Sequence, residues 1–332
     1  MPIVDIETWN KYIEQNPSAH LLQTGVWGEL KQKFGWKPIQ IIEDGVGIQL
    51  LFKKLPFGFS VGYSPRAAAE AIKNLIGGKL GQEVDRVCKN NRAIFLKIEP
   101  DCWGLDHRFE SKDYRQSNHA IQPLSTIEVD ITGDEDEILG RMKQKCRYNI
   151  RLAEKKEIIV RESSNVNEFF ELMQETGGRD GFEVHSLDYY KTALQLASAA
   201  DMMTLLVAEY DGVPLASLMV FAVGLRSWYL YGASSDRERN RMPAYLLQWK
   251  AIQWAKEKGC KTYDLWGIPD EKESILERDF EKRHDGLWGV YRFKRGFGGM
   301  VKRAHPPLDR VYSKLLYMVY ATRQKLRGIP EV

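Results

Sequence analysis

The chain has 332 residues, of which 43% are apolar and 28% charged, and 48 basic residues against 45 acidic ones leave a net charge of +3. That length and balance suit a soluble protein of two ordinary domains and exclude a disordered chain or a single small domain. No stretch approaches the roughly 18 uncharged apolar residues of a membrane span. The opening segment MPIVDIETWNKYIEQ has neither the basic nor the apolar region of a signal peptide, so a cytoplasmic protein is expected.

The first predicted element is a hairpin over Ile42–Leu50, with Asp44-Gly45 at the turn, because Asp and Gly readily take the positive φ that a tight turn requires. A buried strand, Ile94–Asp101, follows and ends in Pro100-Asp101. The same pair recurs in the second half, at nearly equal spacing: a hairpin over Tyr210–Leu218 around Asp211-Gly212, then a strand Tyr263–Asp270 ending in Pro269-Asp270. Such internal repetition favours two similar units over one large sheet.

Between the halves, Met142–Lys156 places Met142, Cys146, Ile150 and Ala153 near helical spacing, with a basic opposite face. It reads as a helix bridging two domains, its cations either solvated or in contact with phosphate. At the end of the chain, Leu308–Arg327 aligns Leu308, Val311, Tyr312, Leu315, Leu316, Val319 and Tyr320 on one stripe, with Arg310, Lys314, Arg323, Lys325 and Arg327 around it. That is an amphipathic basic helix, suited to docking on the body of the protein or to peripheral contact with the inner membrane surface.

Cys88, Cys102, Cys146 and Cys260 are scattered, without CxxC pairs or histidines at ligand spacing, so no metal site is expected. The chain has no GxxxxGK[ST], strand-borne GxGxxG, HExxH or GxSxG motif, which removes support for kinase, dehydrogenase, metalloprotease and lipase chemistry. Arg239–Leu247 occupies the position of an acetyltransferase pyrophosphate loop, but Met242 stands where the first glycine belongs and Pro243 removes an N–H donor. An acyl-CoA-dependent N-acyltransferase of GNAT type is therefore the second reading.

The order and spacing of seven segments resemble the FemABX peptidyltransferases, in the compact FemX type that lacks a long heptad arm. The segments are Gln23–Lys31, Tyr63–Arg66, Tyr148–Ala153, Thr176–Phe182, Tyr229–Ser234, Tyr263–Ile268 and Tyr291–Gly299. One departure is Ala67-Ala68, where the family usually has Gly-Pro. The resemblance implies an α+β fold of two acetyltransferase-like (GNAT-type) domains, each a mixed, mostly antiparallel sheet flanked by helices. The first, precursor-binding domain is expected over residues 1–153, completed by the C-terminal helix 305–332, and the second, at the aminoacyl-tRNA end, over 154–304.

The implied activity is transfer of an amino acid from aminoacyl-tRNA to the amine of a UDP-linked or lipid-linked muropeptide precursor, forming the interpeptide bridge, with no cofactor and no ATP because the ester is already activated. By the same resemblance Lys31 and Arg179 hold the precursor diphosphate, a task suited to a cation pair with one guanidinium fork. Tyr63 and Arg66 belong to the loop around the precursor. Tyr229 and Tyr231 lie near the acceptor site, Phe293 contacts the terminal adenosine, and Lys294 stabilises the transition state.

Read without the resemblance, Lys31 is an exposed helix lysine and Arg179 sits in a glycine-flanked turn. Tyr229 and Tyr231 share one strand face, and Lys294 lies among Arg292 and Arg295 in a basic, glycine-rich stretch. No Ser/His/Asp or Cys/His constellation emerges, which suits direct attack rather than an acyl-enzyme.

Overall fold

Strand-forming segments alternate with helices along the chain in the computed structural model, which describes residues 2–104, 109, 111–117 and 119–327. The strands are β1 (Ile3–Val4), β2 (Trp36–Glu43), β3 (Val46–Lys54), β4 (Ser60–Ala68), β5 (Ala93–Asp101), β6 (Tyr114–Gln116), β7 (Ser125–Asp130), β8 (Ile159–Ser163), β9 (Met203–Tyr210), β10 (Val213–Val223), β11 (Arg226–Ser234), β12 (Thr262–Ile268), β13 (Met300–Arg303) and β14 (Leu308–Val311). They build two sheets, ordered β1-β2-β3-β4-β5-β14-β6 and β13-β7-β12-β11-β10-β9-β8. Both sheets are mostly antiparallel, with a parallel pair in each, β4–β5 in the first and β11–β12 in the second. Helices pack on these sheets, so the fold is α+β in two units, each a mixed, mostly antiparallel sheet flanked by helices, as expected.

Both expected hairpins form. β2–β3 turns at Asp44 (φ 50) and Gly45 (φ 79), and β9–β10 at Asp211 (φ 50) and Gly212 (φ 73). Positive φ at both central residues matches the right-handed twist of the flanking strands. Pro100-Asp101 ends β5, and Pro269-Asp270 follows β12.

The chain divides into two compact units, Met1–Leu124 with Arg303–Val332, and Ser125–Lys302. The boundary expected near 153 therefore moves to 124, because two elements assigned to the first domain belong to the second. β7 pairs antiparallel with β12, and the helix Gln144–Lys155 adds Cys146, Ile150 and Ala153 to the core shared with Leu247, Ala251 and Ile252 of the helix Pro243–Glu257. The basic helix does not bridge domains, since its apolar stripe is consumed within one core. The return to the first unit comes at Arg303 rather than 305.

The C-terminal segment is likewise not one helix. Leu308–Val311 is β14, seated between β5 and β6, and the helix runs Lys314–Arg327. A buried ion pair fixes that register: Lys97 of β5 donates to Asp309 of β14 at 2.9 Å, with both side chains almost fully enclosed. Leu316, Tyr317 and Tyr320 pack inward, whereas Leu315 and Val319, expected on the docking stripe, face outward.

In the first unit Ile48, Leu50 and Phe52 of β3 join a core with Ile72, Leu80 and Val84 from the helices Ala69–Leu75 and Lys79–Asn90. The alternate residue Gln49 meets the buried Gln23, which precedes the helix Gly25–Lys33. Gln23 accepts from Gln49 N at 2.9 Å and donates to Pro65 O at 2.6 Å and Ser64 Oγ at 3.2 Å, while its own carbonyl accepts from Trp9 Nε1 at 2.9 Å. Thr24 then caps the helix by accepting from Trp27 N at 3.2 Å. The Gln23–Lys31 motif is thus first a structural one: a side-chain amide satisfies backbone groups of two strands where water cannot. Gln23→Ala is expected to lower stability by about 3 kcal/mol, since two buried backbone partners lose their bonds; urea unfolding of the variant beside the wild type measures it.

Candidate active site

The second unit opens a slot in its own sheet. β11 and β12 pair in parallel only at Arg226–Trp228 with Thr262–Asp264. Beyond that point β12 is irregular, because Trp266 takes φ 62 and the register against β7 shifts between Asp264 and Gly267. Asp264 holds the distortion in place by accepting from Trp266 N at 2.7 Å and from the Thr126 hydroxyl. The bulge turns the carbonyls of Trp266 and Gly267 toward a side chain from another element.

That side chain is Lys294, the last residue of the helix Trp288–Lys294. Its Nζ donates to Gly267 O at 2.8 Å and Trp266 O at 3.2 Å and lies 5.6 Å from the centre of the Tyr229 ring. The residue is only 5% exposed. Burial brings its ammonium down to about 7, against the pull of Asp264 in the other direction. In the charged form a third N–H bond remains that these two acceptors do not use. The slot therefore presents a pre-oriented donor in a low-dielectric setting, able to stabilise an oxygen that gains negative charge.

Neighbouring residues fix that helix. Arg295 forms an ion pair with Glu277, which also accepts from Tyr291 Oη at 2.7 Å; the Arg295 bond is the main reason the Glu277 carboxyl lies at about 2. Arg292 donates to Phe280 O at 2.9 Å and Glu281 O at 3.1 Å. Both arginines beside Lys294 are thus committed to the protein instead of forming an open basic stretch. Phe293 is half-buried and packs edge-on against Tyr245 and Phe297, with ring centres 5.0 and 5.2 Å away.

Tyr229 and Tyr231 do not share a face. Their register against β10 shifts, with Val220 opposite Tyr229 and Met219 opposite Tyr231, so Leu230 is an extra residue in β11. A bulge reverses the alternation of the side chains that follow it. Tyr229 accordingly packs on the core beneath Lys294 and folds over Gly232, where any Cβ would collide with its ring. Burial pushes its phenol up to about 12, opposed by a bond with Gln248. Tyr231 joins the rings of His185, Tyr189, Tyr190 and Phe221 and shares a 3.1 Å hydroxyl contact with Tyr189.

Arg179 lies in the last turn of the helix Val166–Asp180, not in a loop; Gly177 and Gly178 are helical, and the left-handed Gly181 ends the element. Its guanidinium bonds Ser234 O at 2.8 Å and pairs with Asp180 at 2.8 Å and Asp236 at 3.2 Å, which strengthens its hold on the proton.

In the first unit Lys31 is buried, not exposed. Its Nζ lies 4.9 Å from the Trp27 ring centre, and burial together with nearby Lys53 brings the ammonium down to about 8. Lys53 stands 5.6 Å from the Trp36 ring, which is 6.3 Å from that of Tyr63. Tyr63 donates to Glu99 at 2.5 Å and accepts from Gln122 Nε2 at 3.1 Å; burial and the Glu99 charge raise its phenol well above the ordinary range. Arg66 is buried at φ 50, donates to Pro123 O at 2.5 Å and lies 5.3 Å from the Trp103 ring. After the Arg66 bulge, Ala67 and Ala68 still pair with Pro100 and Asp101, so β4–β5 does not part as β11–β12 does.

The structure thus joins Lys294 to Tyr229, and Tyr63 to the Lys31 neighbourhood through Trp36 and Lys53. Glu99, Gln122, Asp264 and Gln248 are the polar partners that sequence reasoning missed. Glu99 and Asp264 carried a signal, each being a carboxylate within a largely apolar strand. Among the described residues no group of three or more His, Cys, Asp or Glu side chains could hold a metal ion. At the pyrophosphate-loop position Met242 caps the helix Pro243–Glu257 in a left-handed conformation, with proline at the first helical position and no side-chain cap. Burial pushes the thiols of Cys88, Cys102 and Cys146 up to about 12, so they do not serve as thiolates near neutral pH.

The unfolded chain keeps the Lys294 proton up to its ordinary value of 10.5, whereas the folded chain releases it near 7. More protons are then bound by the unfolded state, so this group's contribution to stability rises with pH across that window and is at its lowest below pH 7. Lys294→Met is expected to remove that slope, as urea unfolding between about pH 7 and pH 10 would record; an unchanged slope would contradict the burial of the amine.

A model of the FemAB family matches residues 103–211 and 197–325. Two relatives bear the name lipid II:glycine glycyltransferase. The one from Staphylococcus haemolyticus is 28% identical, and that from Staphylococcus aureus strain MRSA252 is 26% identical, each alignment covering 93% of this chain and 92% of the relative. The first alignment runs over 402 positions against a chain of 332 residues, so that relative carries inserted residues absent here. A crystal structure of FemX superposes with a TM-score of 0.83 at 21% identity, over 95% of this chain and 98% of that one. L-PGS from Bacillus licheniformis superposes at 0.56 with 16% identity, over 97% of each. With the family pattern matched across more than half its length, and the FemX fold reproduced in both sheets, the chain belongs to the FemAB family.

Proposed function

We propose that this chain is an aminoacyltransferase of peptidoglycan bridge formation, moving an amino acid from aminoacyl-tRNA to the side-chain amine of a precursor stem peptide. The observation that carries this reading is the Lys294 ammonium, held by the carbonyls of Trp266 and Gly267 at the point where β11 and β12 part. The names of the staphylococcal relatives support the acceptor class and favour a lipid-linked precursor.

In this reading the acceptor amine attacks the ester carbonyl of the charged tRNA. A C–N bond forms, the C–O bond to the ribose breaks, and the proton leaving the amine ends on the ribose oxygen. Lys294 donates to the carbonyl oxygen as it gains charge, and that charge restores the proton which burial weakens. Tyr229 limits water beneath the ammonium. Phe293, on the same helix, offers an aromatic face for the terminal adenosine.

Lys31 and Arg179 are proposed to bind the precursor diphosphate. For Arg179 this requires the anion to replace Asp180 or Asp236 as its partner. Tyr63 and Arg66, anchored by Glu99 and Pro123, are proposed to shape the precursor loop, and Tyr231 to back the acceptor site through its ring cluster. No cofactor is required, since the aminoacyl ester supplies the driving force. Proline at the start of the helix Pro243–Glu257 weighs against coenzyme A as donor.

The test is transfer of label from a mixed pool of charged tRNA to purified UDP-linked and lipid-linked precursors, with and without RNase. RNase-sensitive product is expected, with kcat lowered about 10²–10³-fold in Lys294→Ala. Lys294→Arg should not restore it, because a planar guanidinium does not fit a slot shaped for an ammonium. RNase-resistant transfer that requires an acyl-CoA would overturn the reading.

A further inference from the structure

One edge of the first unit carries large apolar side chains turned toward solvent. The turn Pro56–Gly58 joins β3 to β4 and holds Phe57 at φ 61, a conformation that bulky residues rarely adopt, with 87% of the residue exposed. Its neighbours Leu55 and Phe59 turn inward onto a small cluster of Val61, Ile94 and Phe95, so the tip is held out by its own flanks. The helix Lys314–Arg327 is anchored on the same cluster through Leu316, Tyr317 and Tyr320. Its opposite side presents Leu315, Met318 and Val319 in an i, i+3, i+4 row, 68%, 59% and 60% exposed. A shared anchor places the loop tip and the outer helix face on one edge, and a helix apolar on both sides calls for a second apolar medium.

Cations predominate around this edge among the described residues. Lys54, Arg92, Arg115 and Lys314 are exposed. Arg92 lies 4.7 Å from the Phe59 ring centre and Arg115 3.8 Å from that of Tyr317. The nearby carboxylates are paired, Asp309 with Lys97 and Tyr317, Asp85 with Arg310 and Tyr312, and the more exposed Asp113 with Arg310. The sequence of the helix contains no Asp or Glu.

We propose that this edge docks the protein on an anionic phospholipid surface, with Phe57, Leu315, Met318 and Val319 entering the boundary of the acyl chains and the surrounding cations meeting lipid phosphates. Apolar side chains at the centre with cations around them match a surface whose interior is acyl chain and whose headgroups are anionic. The inference deepens the reading of a lipid-linked acceptor, but the binding it predicts is measured without turnover.

The experiment is co-sedimentation of the full chain with phosphatidylcholine vesicles, with and without phosphatidylglycerol. Binding is expected only with phosphatidylglycerol and should weaken as salt is added. The triple variant Phe57→Asn, Met318→Gln, Val319→Gln keeps the fold, since asparagine suits the left-handed turn and the other two positions face outward; its melting temperature checks this. It should lose affinity for the anionic vesicles about tenfold or more. It should also turn over a water-soluble acceptor at the wild-type rate, which separates failure of docking from failure of the transferase reading. No binding to phosphatidylglycerol vesicles, or equal binding by the variant, would overturn the proposal. So would a dimer that the same substitutions dissociate, which would assign the edge to a second copy of the chain.

Discussion

A lysine ammonium enters a protein interior only where fixed dipoles replace the water it leaves behind. In the second unit two backbone carbonyls do this for Lys294, and they are free to do so because β12 abandons its ladder at Trp266. Asp264, Thr126, the Arg295–Glu277 pair and the Arg292 clamp all hold one side or other of that arrangement. A regular β12 would turn those carbonyls to a neighbouring strand and leave the amine without acceptors. The sheet defect and the buried cation are therefore a single feature.

The two units share a plan and differ where the plan makes a site. In each, an Asp-Gly hairpin leads to a third antiparallel strand and then to a parallel partner. In the first, the parallel pair remains joined as far as Asp101, and the buried cations Lys31 and Arg66 rest on aromatic faces. In the second, the pair parts after three residues, and the gap receives Lys294. The two frames are similar, and the difference in strand separation gives the second its slot for Lys294.

Much of this was legible in the residues. Hairpins announce themselves through Asp-Gly because turn chemistry is local, and the repeated Pro-Asp strand ends marked two similar units. What stayed hidden depended on pairing over long distances. The bulge at Leu230 inserts no unusual residue, so simple alternation put Tyr229 and Tyr231 on one face when they lie on opposite ones. Leu308–Val311 fits a helical stripe as well as a strand, and only the partner Lys97, far back in the chain, decides between them. Arg179 looked like a loop residue because its glycines are helix breakers in isolation, yet tertiary packing carries the helix through them. Lys31 and Lys294 show the opposite limit: a sequence reveals that a lysine is present, while its burial belongs to the fold.

The placement of β14 also orders events in time. This strand lies inside the first sheet, between β5 and β6, although every residue of the second unit precedes it in the chain. During synthesis the first sheet must wait with a vacancy beside β5, and Lys97 without Asp309, until the second unit has been made. The second unit is a continuous segment with no such debt to later residues. The last-formed strand then closes the earliest-made half, and with it seats the helix that bears the apolar edge.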